Sequence, residues 1–342
     1  MLTPAHAITP AATMKVLTDL AALRRYRTPI VMAAGFFDGV HRGHRKVIEQ
    51  AMARARRRHG QAWVLTFDTH PLKVLNPSAA PLLLTSNAHK ERLLSRLGVD
   101  GCLMLPFTRE LANSAPEEFV ARIHACAPPL VEILVGTNWR FGAMGRGGPA
   151  MLARRSRGTA LKVTVVKTMS RGGETISSTR IRAAVLQGNL GDAASLLGRP
   201  FSVLGTVTRG RTIARTLGYP TANLNCHNEA LPPCGVYAVY ALIGRRLLNG
   251  VLNMGHRPTF GATADDKPVI ELHVLDLNAD LYGDDIEVFF IARLRDEKRF
   301  SSPAELARQI ARDVESARTL LSRNGLSKKV KESLYTDQPA IL

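Results

Sequence analysis

Cysteine is scarce and scattered in this 342-residue chain: Cys102, Cys126, Cys226 and Cys234 form no CxxC pair and stand at no zinc-site spacing to a histidine. That pattern excludes a disulfide framework or a structural zinc, and predicts unpaired thiols in a reducing compartment, hence a cytoplasmic protein. No apolar run reaches the 18 or more residues that a membrane span needs. The N-terminal stretch MLTPAHAITPAATMKVL lacks a basic segment followed by a solid apolar core, so it reads as a loose start rather than a signal peptide. Internal repeats are absent. Aromatics make up only 6% of residues and are not interleaved with the basic ones, which disfavours a single-strand nucleic-acid surface. Acidic residues are also short, 28 against 46 Lys and Arg, and the resulting net charge of +18 attracts polyanions: nucleic acid, anionic membrane or phosphorylated small molecules. The densest basic run, RARRRHG at 54–60, falls late in a helical pattern, where a solvated helix face is the plainer reading.

What the chain does have is length for about two modules and a clear change of pattern. Continuous apolar runs at 29–35, 62–67, 101–107, 131–136 and 161–166 read as buried strands, and helical patterns at 44–58, 86–98, 114–125 and 149–158 separate them. Such alternation predicts an α/β, Rossmann-like parallel sheet covered on both faces. Residues 177–200 read as two short helices broken at Gly188 and ended by Gly198. Short strands with Gly, Pro and Asn punctuation follow, the pattern of a small antiparallel β-barrel. A last helix over 302–323 starts with Ser302, Pro303 and Glu305, a good N-terminal signal. The expected organisation is a first module over 14–185, a connecting segment over 186–199, a barrel module over 200–324 and a frayed tail over 325–342.

Two stretches carry candidate chemistry. GFFDGVHRGH (35–44) lies at the carboxyl end of the first strand and the entry to the first helix, where doubly wound sheets bind ligands and where free N–H groups favour phosphate. Gly43 allows close backbone approach, and His41 and His44 can donate to phosphate oxygens. An ordinary turn with exposed histidines remains open; a metal site fits less well, because the spacing is not i, i+4 and no third ligand is evident. In ISSTRIR (176–182), Ser177, Ser178 and Thr179 form a capping cluster followed by Arg182. Plain capping and a second anion grip are both open readings.

Together GFFDGVHRGH and ISSTRIR resemble the HxGH-type nucleotidylyltransferases. With TFDTHP (66–71), LPFT (105–108), GTNWRFG (136–142), LLGRPFSVLGTV (196–207), LGYPTANL (217–224), GVYAVY (235–240), NMGHRPTF (253–260) and ELHVLDL (271–277), the chain resembles the bacterial bifunctional riboflavin kinase/FAD synthetase family from about residue 30 to 320, in the family's order. The resemblance implies that the first module adenylylates FMN with ATP, and that the barrel module phosphorylates riboflavin with ATP. It implies His41 and His44 on the ATP phosphates, with Gly35, Phe37, Asp38 and Gly43 along the nucleotide site. Asn138 would lie beside the transferred group. Ser177, Ser178 and Thr179 would join Arg182 at the distal phosphates. For the kinase it implies a phosphate loop with Gly210 and Arg215, Mg²⁺ held by Thr221 and Asn223, and Glu271 as the base.

The strand pattern agrees for Glu271, which alternates with Ile270, Leu272 and Val274 and so stands opposite the apolar face. The match departs from the family pattern at Thr69, where proline is usual, at Asn138 and Trp139, where Asp-Phe is more frequent, and at Ala214, where glycine is usual. If the backbone at Ala214 needs a positive φ, alanine costs about 1 kcal/mol. Implied partners are riboflavin, FMN and ATP, with no membrane and nucleic acid disfavoured. Competing readings are a chain that keeps one of the two activities, or a basic nucleic-acid-binding protein on the same scaffold.

Overall fold

In the computed structural model, which describes residues 14–126, 128–209, 218–255 and 268–323, the change of pattern near residue 198 separates two architectures. The first is a six-stranded parallel sheet: β1 (Lys15–Leu17), β2 (Ile30–Ala34), β3 (Gln61–Phe67), β4 (Gly101–Leu105), β5 (Leu130–Gly136) and β6 (Lys162–Val166), in the order β1-β4-β3-β2-β5-β6. Every residue of β2 is buried, as a parallel strand covered on both faces requires. Helix α1 (Arg42–Arg57) packs Val47, Ile48, Ala51 and Ala55 on one face, while α5 (Pro116–His124) packs Phe119, Val120 and Ile123 on the other. Between these come α2 (Pro71–Leu75), α3 (Asn87–Ser95) and α4 (Arg109–Asn113), with α6 (Pro149–Arg155) after β5. The five strands and four helices expected of this module are all present within a few residues.

The differences have local causes. Lys15–Leu17, read as part of a loose start, is an edge strand, because pairing with Gly101–Leu103 satisfies its backbone and buries Met14. Three residues are too few to show a period in sequence. The expected helix over 114–125 begins at Pro116, whose ring suits the first helical position. The basic run at the end of α1 is only half solvated. Arg56 and Arg57 are exposed, but Arg54 and Arg58 reach the fully buried Glu132 on β5, which also accepts from Thr164 Oγ1 at 2.8 Å. A buried carboxylate needs partners, and these guanidiniums hold it below the usual carboxylate range against the opposing effect of burial.

After a two-residue ladder, β7 (Ser170–Arg171) with β8 (Glu174–Thr175), come α7 (Ser178–Leu186) and α8 (Leu190–Leu197). Gly188 and Gly198 take φ of 77° and 79° where the helices stop. The second architecture is a closed antiparallel barrel of β9 (Ser202–Thr208), β10 (Ala222–Cys226), β11 (Gly235–Ile243), β12 (Arg246–Gly255), β13 (Val269–Val274) and β14 (Asp285–Arg295), in the order β10-β13-β12-β11-β14-β9. Alternation along β11 divides its side chains. Tyr237, Val239 and Ala241 join the barrel interior, and Val236, Ala238 and Tyr240 face the final helix α9 (Pro303–Arg323). The Tyr240 hydroxyl donates to the Leu321 carbonyl at 3.0 Å. At the start of α9 the Glu305 N–H donates to Ser302 Oγ, but the Glu305 carboxylate reaches back to Ser301 rather than to Ser302, a capping box displaced by one residue. The expected frayed tail over 325–342 lies outside the described residues.

The two architectures are joined by more than the connecting helices. Residues 82–85 run between them: the Leu83 carbonyl accepts from the Glu229 and Ala230 N–H groups, the Leu83 N–H donates to the Glu229 carboxylate at 3.0 Å, and the Leu84 carbonyl accepts from Asn228 Nδ2 at 2.6 Å. Beside them, Glu287 of β14 is fully buried among His89 (3.0 Å), Ser202 (2.8 Å) and Arg96 (2.6 Å).

Candidate active sites

The sheet reverses its direction of build at β2, which has β3 on one side and β5 on the other. The carboxyl ends of β2 and β5 therefore frame a switch-point crevice. Residues 35–44 leave β2 at that crevice through a contorted backbone: Phe37, Gly39 and Val40 have φ of 56°, 76° and 40°. Positive φ at a β-branched residue is strained and persists only where surrounding contacts impose it. Those contacts are explicit. The Asp38 carboxylate accepts from Leu84 N–H, Thr85 N–H and Thr85 Oγ1 at 3.0–3.2 Å and pairs with Arg182 at 3.1 Å. Gly39 N–H donates to Thr85 Oγ1, and Ser178 Oγ donates to the Asp38 carbonyl at 2.9 Å. The loop delivers His41 as the N-cap of α1, where its Nδ1 accepts the His44 N–H at 3.2 Å.

The rings of His41 and His44 stack at 3.5 Å between centroids and 19° between planes. Gly43 permits this, since a Cβ there would lie 3.1 Å from the His41 ring. Both imidazoles are held neutral. Burial, then the Arg199 charge, lowers His41 to about 4. Burial, then His41 and Lys90, holds His44 well below the usual histidine range. A neutral His41 whose Nδ1 accepts a hydrogen bond carries its proton on Nε2, leaving that N–H to donate. His44 Nδ1 is shielded from water with no hydrogen-bond partner. Two neutral imidazoles at the N-terminus of a 16-residue helix make a site for an anion with acceptor oxygens.

Of the residues expected beside the nucleotide, Gly35 closes the end of β2 and must lack a Cβ, which would sit 2.9 Å from the Phe37 ring. Phe37 and Asp38 are 2% exposed. Phe37 packs edge-on behind His44 at 5.2 Å, and the carboxylate of Asp38 is taken up by protein donors, so both shape the loop. Asn138 is exposed on the turn after β5, across the switch point. Ser177 caps α7 by accepting from the Arg180 N–H, and Thr179 is exposed on the first turn. Arg182 pairs with Asp38 and donates to the Leu82 carbonyl.

Three neighbours were not singled out from the sequence. Lys90 is 1% exposed. Its Nζ donates to the Phe67 carbonyl at 3.0 Å and lies 4.4 Å from the Phe36 ring centre, and burial lowers its pKa to about 8. Thr85 holds Asp38, and Arg199 holds the next two carbonyls. In sequence, Lys90 is one more cation in a helix with a serine start, and no local pattern marks a lysine as buried.

The barrel carries a second site. A cavity of about 610 Å³ opens between Thr208, Arg209, Thr221, Asn223, Leu281 and Tyr282. Asn223 pairs in register with Glu271 across β10 and β13, and Glu271 faces away from the interior set of Ile270, Leu272 and Val274, as the alternation predicts. Thr221 and Asn223 line the cavity, whereas Glu271, the ladder partner of Asn223, does not. Gly210, Arg215 and the unusual Ala214 lie outside the described residues. Among the described residues, no group of three or more His, Cys, Asp or Glu could hold a metal ion, and no helix is long and apolar enough to cross a membrane. None of the four cysteines is in a disulfide.

Two family models match the chain, one described as FAD synthetase over residues 23–180 and one as riboflavin kinase over residues 197–321. A bifunctional riboflavin kinase/FMN adenylyltransferase of Escherichia coli (strain K12) is 38% identical over 289 residues, 84% of this chain and 91% of that one. Proteins of the same name from Bacillus subtilis (strain 168) and Pseudomonas fluorescens are each 34% identical, over 84% and 90% of this chain and 91% and 98% of theirs. A solved structure from Streptococcus pneumoniae, described as a macrolide-efflux protein, superposes with a TM-score of 0.74 at 30% identity, covering 89% of this chain and 98% of that one.

Proposed function

The chain belongs to the bifunctional riboflavin kinase/FMN adenylyltransferase family, and from that premise we propose which of its residues carry each reaction. The barrel phosphorylates riboflavin to FMN, the sheet module adenylylates FMN to FAD, and ATP is co-substrate in both steps. The observation that carries the assignment is the neutral, stacked His41–His44 pair at the N-terminus of α1, in the switch-point crevice.

In adenylyl transfer a phosphate oxygen of FMN forms a bond to the α-phosphorus of ATP, and the bond to the β-phosphate oxygen breaks, releasing pyrophosphate. Charge grows on the departing oxygens. His41 Nε2–H, His44 and the helix N-terminus are donors fixed in place to receive it. Being uncharged, the imidazoles donate without needing a proton from solvent. Asn138 reaches the transferred group from the β5 side, and Arg182 with Ser177, Ser178 and Thr179 lies toward the distal phosphates.

In the kinase step the riboflavin 5′-hydroxyl attacks the γ-phosphorus and ADP leaves. Glu271 accepts the hydroxyl proton. Thr221 and Asn223 supply neutral oxygen donors beside that carboxylate, a set that suits a hard cation sharing its coordination with phosphate and water. Mg²⁺ held there would neutralise charge on the transferring phosphate. Both reactions draw on ATP, and we place the protein in the cytoplasm.

The test is a pair of variants. His44→Ala abolishes FAD formation from FMN and leaves FMN formation from riboflavin within about twofold. Glu271→Ala does the reverse, lowering the kinase rate by about 10²-fold or more. A folded variant in which either change removed both activities would refute the two-site assignment.

A further inference from the structure

Arg199 belongs to neither set of residues above, yet it touches the histidine loop directly. It is the first residue after the αL stop at Gly198, in the segment that leads into the barrel. Its Nη2 donates to the Gly39 carbonyl at 3.0 Å and its Nη1 to the Val40 carbonyl at 3.3 Å. These carbonyls belong to two adjacent positive-φ residues, and the residue after them is His41. Arg199 Nε is shielded from water without a hydrogen-bond partner, so the guanidinium is committed to this loop at some cost in desolvation.

The geometry points to Arg199 as a positioning residue for adenylyl transfer, a fork from the kinase side of the chain that fixes the backbone presenting His41. This rests on the reading of His41 as part of the adenylyltransferase site. Two effects follow from one side chain. The planar fork holds both carbonyls at once, which a single ammonium cannot do. Its charge adds to the larger effect of burial in disfavouring protonation of His41, and a neutral His41 keeps Nδ1 as acceptor for the His44 N–H and Nε2 as the donor. The groups facing His41 are the stacked His44 from its own helix and Arg199 from the connecting segment, with Lys90 of α3 beyond His44. The Asp38–Arg182 ion pair of the same loop has its charges matched. Arg199 is thus the cation whose removal changes the charge around His41 most.

The experiment uses the full chain with Arg199→Gln and Arg199→Lys. It measures FAD formation from FMN, FMN formation from riboflavin, and the titration of the His41 imidazole by NMR. With Arg199→Gln, kcat for FAD formation falls at least tenfold, FMN formation stays within twofold, and the His41 titration moves to higher pH. With Arg199→Lys, the titration returns toward that of the parent chain but kcat stays low, since the charge is restored without the fork. An unmoved His41 titration and FAD rate in Arg199→Gln overturns the inference. So does an equal loss of both activities with the titration unmoved, which marks a structural residue only. If the Gln variant does not fold, the Lys variant decides alone: a parental kcat with the fork gone overturns the inference. A parent chain that makes no FAD from FMN fails the adenylyltransferase reading itself, a result distinct from any of these.

Discussion

His41 is the residue at which stability and function pull on the same proton. Its folded-state pKa, about 4, lies below the ordinary value of 6.5 that the unfolded chain restores. As pH falls below 6.5 the unfolded chain takes up a proton that the folded chain refuses, so stability drops through that window and levels off near pH 4. For His41 alone the full change is about 3 kcal/mol, and His44 and the buried His89, lowered in the same direction, add to it. Urea unfolding between pH 7.5 and 4.5 should show this slope, and His41→Asn should reduce it by the His41 share. Identical slopes in the two proteins would mean that His41 is protonated in the folded chain. In the sequence, the two histidines and their place after a strand were visible; their stacking, their neutrality and the buried Lys90 beside them were not. Those depend on desolvation, which only the packed fold supplies.

At the scale of elements, Gly101 shows how a strand is fitted to its neighbour. It stands opposite Trp63 in the β3–β4 ladder, and a Cβ there would lie 2.5 Å from the indole. Trp63 is fully buried and cannot swing out, so Gly101→Ala should destabilise the sheet module by about 1–3 kcal/mol, read as a lower urea midpoint with FMN formation retained. An unchanged midpoint would show that β4 can shift to make room. The long elements were legible because each carries a period or a continuous apolar run: β2, α1 and α9 all fall within two residues of expectation. The short ones were not. Lys15–Leu17 owes its strand to pairing with β4, and the site loop owes its positive φ values to contacts with Thr85, Arg182 and Arg199, which are distant in sequence. At Asp38 the motif position alone did not show that the carboxylate accepts from Leu84 and Thr85 and pairs with Arg182.

Across the whole molecule, the charge is unevenly shared. Residues 1–185 hold 27 Lys and Arg against 11 Asp and Glu, and residues 186–342 hold 19 against 17. The surplus sits on the module that must gather two phosphorylated substrates, ATP and FMN, rather than on the one that takes ATP and uncharged riboflavin. The modules meet through a buried polar network in which Glu287 is held strongly ionised, overcoming the cost of burial through Arg96, His89 and Ser202. Glu287→Ala leaves Arg96 buried without its partner and should cost about 3–5 kcal/mol, read in the urea midpoint of the full chain. A loss below about 1 kcal/mol would mean that water replaces the carboxylate.

The most direct test of the two-step assignment is a single incubation of the full chain with riboflavin, ATP and Mg²⁺, with the flavins separated over time. FMN should appear first and FAD after it, with FAD rising as FMN passes its maximum. FMN that accumulates with no FAD, even when FMN and fresh ATP are added, would contradict the role given to the histidine pair, and FAD formed only from added FMN would contradict the role given to the barrel.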